Sequence, residues 1–122
     1  MTPTLNVATE FVDELINMSQ FVEALTYIDQ FHERNGETVH LNMEKARIIL
    51  MAHEPSYPIF EAERCMLRAH EIDRNNLITI SLLSRYYAVV DPKPHKQNHY
   101  ENLFSRILDQ KKKEKAAGNP VP

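Results

Sequence analysis

Histidines and carboxylates recur along this chain at spacings that could bind a metal ion. Offsets of three or four residues place two side chains on one face of a helix. Examples are Asp29 with His32, Glu37 with His40, and His95 with His99. A zinc site takes three or four protein ligands, and a di-metal site inside a helical bundle takes further inward carboxylates. No combination of these histidines with His53 or His70 has the spacing of a complete set, so we expect no metal and no cofactor.

Nucleophilic chemistry would have to use Cys65, the single cysteine. His70 follows five residues later, and at 3.6 residues per turn the two side chains point about 140° apart, so they cannot pair within one helix. A small buried side chain is therefore the expected role of Cys65. The sequence also has no G-x-S-x-G, H-E-x-x-H or P-loop motif. We expect no catalytic residue and no enzymatic activity.

Composition and charge exclude further classes of function. The chain has 122 residues and a net charge of −3, which gives no general attraction to nucleic acid or to anionic membranes. No apolar stretch approaches the roughly 20 residues of a membrane span. One cysteine and no signal-peptide pattern fit a reducing compartment, so we expect a cytoplasmic protein. The lysine-rich stretch at residues 111–115 is typical of a solvated helix end.

Apolar side chains recur every three or four residues, which predicts six amphipathic helices. With only two glycines, the chain lacks the turn residues of a β-rich fold. We therefore expect an all-α fold, with one domain at residues 1–110 and a lysine-rich helix end and frayed tail at 111–122. Ser19 is expected to cap the second helix and Gly36 to end it. The predicted inward stretches are Leu5 to Met18, Phe21 to Phe31, Met43 to Leu50, Ile59 to Ile72, Ile80 to Val90, and Tyr100 to Leu108.

An internal repeat relates the second, fourth and sixth helices. They align on Ala24, Ala62 and Tyr100, which are 38 residues apart. The segment Ile80 to Tyr87 reads Ile-x2-Leu-Ser-x2-Tyr, and Ala62 is followed by Met66 and Ala69. Tetratricopeptide (TPR) units have the pattern W-x2-L-G-x2-Y followed by A-x3-F. The chain resembles this family, most closely from Ala62 to Tyr87, and the alternative is an unrelated helical bundle with similar periodicity.

The TPR resemblance implies three antiparallel helical hairpins stacked as a short right-handed array. Ala62 and Ala69 are then expected at close helix contacts, because small side chains let two helix backbones approach. Met66 and Tyr87 are expected in the core between neighbouring hairpins. The first helix of each hairpin would line a concave groove.

Two arginines would face this groove, since each directly follows a small residue of a first helix. Arg47 follows Ala46 and Arg85 follows Ser84. Guanidinium groups suit carboxylates through paired hydrogen bonds. The alternative is ordinary ion pairing of these arginines, for example with Glu44. The full expected set of groove residues is His40, Met43, Arg47, Leu50, Met51, Ile78, Ser81, Arg85 and Val89.

The resemblance therefore implies a non-catalytic adaptor or chaperone-like module, which holds a peptide or helix of a partner protein in the groove. The partner is expected to carry an acidic group, and nucleic acid and membrane are not expected as partners. The protein itself would be a monomer or a small homo-oligomer. The alternative is a structural subunit that is packed permanently in a larger protein assembly.

Overall fold

Helices account for most of the chain that the structure describes. This structure is a computed structural model, which describes residues 4–52 and 57–118. Those residues contain six α-helices, one π-helical turn and no strand, so the predicted all-α fold class is confirmed. The elements are α1 (Leu5–Asn17), α2 (Phe21–Asn35), α3 (Val39–Ala52), α4 (Ile59–Ile72), α5 (Leu77–Arg85), the π-turn (Tyr86–Val90) and α6 (Pro94–Gly118).

Helix ends follow local side-chain chemistry. Thr4 begins α1, because its side chain accepts a hydrogen bond from the Val7 amide at 3.2 Å. Gly36 ends α2 with φ +85°, a conformation that a side chain would disfavour. The cap predicted at Ser19 is wrong. Ser19 lies in the turn with φ 58°, and Gln20 precedes α2 without a side-chain capping bond.

The first compact unit, Met1–Asp73, contains α1 to α4. Within it α1 contacts α2 and α3, α2 contacts α3, and α3 packs along α4. Ala62, Met66 and Ala69 of α4 are all buried, which confirms their predicted burial. Their spacing places them on one face, so α4 presents a narrow strip of mostly small side chains to the core.

The ends of α4 differ from the sequence prediction. Ile59 and Ile72 were expected to face inward, but they are 45% and 43% exposed. They are the first and last residues of α4, where the helix runs past the side chains that cover its middle. Apolar periodicity continues to these ends, whereas burial does not.

The second compact unit, Arg74–Pro122, contains α5, the π-turn and α6. Tyr87 is buried as predicted, at 1% exposed, and its ring stacks on that of Tyr100 with a centroid distance of 5.9 Å. Tyr86 is also buried and meets Tyr87 edge to face. A π-turn has i→i+5 bonds, here from the Asp91 amide to the Tyr86 carbonyl at 3.0 Å. This wider turn departs from the 3.6-residue periodicity on which the prediction rested, and Val90, its last residue and predicted inward, is 40% exposed.

The lysine-rich stretch at residues 111–115 lies within α6, which continues to Gly118. None of the helices in the described ranges is both long and apolar enough to cross a membrane. The single domain predicted at residues 1–110 stays a prediction, as does the frayed tail, whose last four residues lie outside the described part of the chain.

Replacing Ala69 by Leu tests the packing of α4. Ala69 is 0% exposed, so a larger side chain must displace its neighbours, and we expect a loss of about 1–3 kcal/mol of unfolding free energy. The control is Ala116→Leu on the exposed end of α6, where the change should stay within about 0.5 kcal/mol. Urea denaturation measures both, and equal midpoints for the two variants would refute the close packing.

Candidate functional site

The α3 residues of the predicted groove divide into exposed and buried positions. His40, Arg47 and Met51 are exposed, at positions that share one side of the helix. Leu50 is half-buried. Met43 is only 6% exposed, so it belongs to the core of the first unit. The exposed face of α3 therefore combines a cation with one imidazole and one flexible apolar side chain.

Arg47 already has an ionic partner. Its Nη1 donates a hydrogen bond to Oε1 of Glu44 at 2.7 Å. The Glu44 side chain is 8% exposed and that of Arg47 is 57% exposed. A buried carboxylate needs a nearby cation to offset its lost hydration. Arg47 thus stabilises Glu44 while more than half of its side chain remains exposed, and the ion pairing considered from the sequence is present.

The groove residues predicted from Ile78 to Val89, on α5 and on the π-turn that follows it, are all exposed. Ile78 is 70% and Val89 is 72% exposed, and Ser81 and Arg85 lie between them in the sequence. Arg85 makes no ion pair with another described residue. The surface of Ile78, Ser81, Arg85 and Val89, called the α5 face below although Val89 belongs to the π-turn, therefore carries a cation between two strongly exposed apolar side chains.

A shallow cavity of about 260 Å³ opens beside this face, between α5 and α6. Ser81 and Ser84 line it from α5, and Glu101, Phe104 and Ser105 line it from α6. The serine hydroxyl groups and the Glu101 carboxylate can form hydrogen bonds, and the Phe104 ring offers an apolar contact. A side chain with both polar and apolar parts could therefore bind here. The cavity extends the α5 face toward α6, which sequence reasoning did not predict.

The exposed faces of α3 and α5 carry matching side chains at a 38-residue offset. Arg47 corresponds to Arg85, and four residues later Met51 corresponds to Val89. The two faces belong to different compact units. A groove shared by them stays a prediction.

A polar cluster that sequence reasoning missed lies within the first unit. Lys45, whose side chain is 12% exposed, places Nζ 2.7 Å from Oδ1 of Asp29 and 3.8 Å from Oε1 of Glu61. Tyr57 donates its hydroxyl to Oδ2 of Asp29 at 3.1 Å, and its ring lies beneath the Lys45 ammonium. The cluster joins α2, α3 and α4. Its only sequence signal is a lysine between the inward positions of α3.

Lys45 stays protonated in this setting. Burial disfavours its charged form, but the hydrogen bond to Asp29 and the surrounding negative charge outweigh burial and raise its pKa. Burial also raises the pKa of the nearby Cys65 thiol to about 11, so Cys65 is a neutral thiol near pH 7. A protonated, buried thiol is a poor nucleophile.

A cavity of about 280 Å³ adjoins this cluster and is lined by three of the residues weighed as metal ligands in the sequence, Asp29, His32 and Glu37. Asp29 and His32 both line it, but Asp29 binds Lys45 and Nε2 of His32 accepts a hydrogen bond from the Thr38 amide at 3.4 Å. Within residues 4–52 and 57–118, no group of three or more His, Cys, Asp or Glu side chains is placed to hold a metal ion. His53 lies outside the described residues. Three carboxylates that line the cavity, Asp29, Glu37 and Glu61, therefore already pair with a lysine or arginine that lines it too.

No family model, curated protein or solved structure matches this chain.

Replacing Lys45 by Met tests the polar cluster. The variant leaves Asp29 and Glu61 without their shared cation, so we expect the unfolding free energy to fall by about 1–3 kcal/mol. The fall should be smaller than for a fully buried ion pair, because Asp29 is partly exposed. The matched control is Arg64→Met, which removes an exposed cation 3.1 Å from the same Glu61 and should cost under about 1 kcal/mol. Chemical denaturation at pH 7 measures both. Equal losses would show that Lys45 has no special structural role.

His32 should make the fold sensitive to mild acid. Burial lowers the pKa of His32 in the folded chain, and the negative charge of Glu37 offsets part of this lowering. The folded chain therefore binds a proton at His32 less readily than the unfolded chain does. Stability from this group is present above the unfolded pKa of about 6.5 and is lost as pH falls through the folded pKa. We expect the denaturation midpoint to fall more from pH 7.5 to pH 5.5 in the parent than in His32→Gln. An identical fall in both proteins would contradict this prediction.

Proposed function

We propose that this protein is a non-catalytic binding module, an adaptor or chaperone-like protein that holds a peptide or helix of a partner on the exposed faces of α3 and α5. The observation that carries the proposal is the α5 face. Ile78 and Val89, at 70% and 72% exposed, flank the unpaired Arg85. Large apolar side chains exposed beside a cation are typical of surfaces that bind other proteins.

The α3 face supports the same proposal. The Arg47 side chain is 57% exposed, and Met51, four residues later, is 53% exposed. Arg85 and Val89 repeat this pair 38 residues further along the chain. Under this proposal the helix pairs α1–α2, α3–α4 and α5–α6 stack as a short TPR-like right-handed array, with α3 and α5 lining one concave groove. The partner would contribute a carboxylate for the arginines and apolar side chains for the flanking residues. A cytoplasmic location belongs to the same proposal.

A structural subunit of a larger assembly is the second candidate. It is favoured by the number of large apolar side chains exposed away from the α3 and α5 faces, among them Phe60 at 65% on α4. A permanent partner would cover such side chains. Sedimentation of the isolated chain separates the two functions, because a binding module stays a monomer or small oligomer, whereas an orphaned subunit aggregates through its uncovered surface.

Charge reversal at Arg85 tests the binding function. The partner is captured from native lysate with the parent chain, identified, purified and titrated against each variant. Arg85 is exposed and has no ionic partner among the described residues, so Arg85→Glu should leave the denaturation midpoint unchanged. If Arg85 becomes buried against a carboxylate in the complex, its loss should cost about 2–5 kcal/mol of binding free energy.

Arg47 requires a different design, since reversing its charge would set two carboxylates beside each other. The double variant Glu44→Gln/Arg47→Gln removes both charges of the pair together. Its control is the single variant Glu44→Gln, which keeps the cation. Weaker binding in the double variant alone would assign Arg47 to the groove. Parent-like affinity for both Arg85→Glu and the double variant would contradict the proposed groove.

A further inference from the structure

The hairpin of α1 and α2 bears an apolar cleft that none of the described elements fills. The cleft has a volume of about 370 Å³. It is lined by Phe11, Leu15, Val22, Glu23, Thr26, Tyr27 and Gln30. The Phe11 and Tyr27 rings, which both line it, stack with a centroid distance of 4.7 Å. None of these residues is part of the α3 and α5 faces.

The apolar arc of α1 is wider than the part that the fold covers. Ala8, Val12 and Leu15 are buried. Val7, Phe11 and Met18 are 53%, 44% and 58% exposed, and helical periodicity places them within about 40° of one another. On α2, Val22 adds a further apolar side chain that is 49% exposed. Val7, Phe11 and Met18 thus form an exposed apolar strip along α1, and this strip meets the cleft at Phe11, which lines it together with Val22.

Carboxylates border this strip. Glu10 and Glu14 follow Val7 and Phe11 by three residues on α1, and Glu23 lines the cleft from α2. All three carboxylates are exposed, and none forms an ion pair with another described residue.

The charge of the whole segment has one sign. Six carboxylates and no lysine or arginine precede Arg34 in the sequence. Arg34 lies near the far end of α2, where it lines a second, smaller cavity that shares Tyr27 and Gln30 with the cleft, but it does not line the cleft itself. An anionic lipid surface or a nucleic acid would be repelled by such a border, whereas a cationic protein segment would be attracted to it.

We propose that the α1–α2 cleft binds an amphipathic helix of a partner protein, with apolar side chains on one face and lysine or arginine beside them. The apolar face would lie on Phe11, Val22 and Tyr27, as helices do in hydrophobic grooves. The flanking cations would lie against Glu10, Glu14 and Glu23, which would set the direction of the bound helix and speed its association.

The lysine-rich end of α6 in a second copy is a weaker occupant. Its charge is complementary, but residues 109–117 contain only Ala116 and Ala117 as apolar side chains. Two methyl groups cannot fill a cleft of about 370 Å³. A partner helix with large apolar side chains satisfies both the shape and the charge of the cleft.

Two synthetic peptides test this proposal by fluorescence anisotropy with the full chain. Both are 18-residue helices with leucines at positions i, i+3, i+4 and i+7. One carries lysines beside the leucines and the other carries glutamates at the same positions. We expect the lysine peptide to bind at least about tenfold more tightly than the glutamate peptide, and we expect added salt to weaken its binding. Equal affinity for the two peptides, or no binding of either, would overturn the proposal.

Variants of the chain locate the binding. Val22→Ser removes apolar contact, and Glu10→Gln/Glu14→Gln removes two carboxylates. Each variant should bind the lysine peptide about fivefold more weakly than the parent chain does. The matched control is Asp109→Asn/Glu114→Gln, which removes two exposed carboxylates from α6 and should change nothing. An equal loss in that control would show nonspecific charge attraction and would overturn the proposal.

Sedimentation velocity of the parent chain alone completes the test. A cleft reserved for a partner predicts no self-association through this surface, so Val22→Ser should sediment like the parent at every concentration. Concentration-dependent self-association that Val22→Ser abolishes would assign the cleft to a second copy and would contradict a partner helix.

Discussion

The ammonium group of Lys45 joins three helices of the first unit. Its backbone belongs to α3, while its Nζ lies 2.7 Å from Asp29 of α2 and 3.8 Å from Glu61 of α4. A largely buried cation loses hydration, and only correctly placed carboxylates offset that loss, so the three helices have one favoured arrangement. Because Lys45 must face Asp29 and Glu61, the rotation of α3 about its own axis is also fixed. Arg47 is two residues after Lys45, about 200° around the helix, and therefore faces solvent.

In the second unit, burial of α5 side chains in the core determines which way Arg85 points. Leu83 is 0% exposed, and Arg85, two residues later, is again on the opposite side of its helix. In each unit, a largely buried side chain, Lys45 or Leu83, thus places the arginine two residues later on the exposed side of the helix. An exposed apolar side chain follows each arginine by four residues. Exposure of Met51 and Val89 gives up hydrophobic stabilisation that burial would provide. That cost has a reason if the exposed faces bind another protein.

Sequence reasoning predicted what depends on local pattern and missed what depends on tertiary pairing. Apolar spacing found the six helices and the burial of Ala69 and Tyr87, and the positive φ of Gly36 agrees with its predicted role as a helix end. The Lys45 cluster was missed because its partners come from other helices, 16 residues away in each direction. The same carboxylate, Asp29, was instead considered with His32 as half of a metal site. The π-turn also escaped prediction, since no propensity of the segment from residue 86 to residue 90 distinguishes it from α-helix.

Methyl NMR of the full chain, titrated with its purified partner, tests the central claim most directly, because the methyl groups of the exposed faces and of the core are distinct probes. If the partner binds the α3 and α5 faces, the resonances of Met51, Ile78 and Val89 shift on binding. The methyl resonances of Ile48 and Leu83, which are 0% exposed, should stay in place. Binding that leaves Met51, Ile78 and Val89 unshifted would show that the partner binds elsewhere.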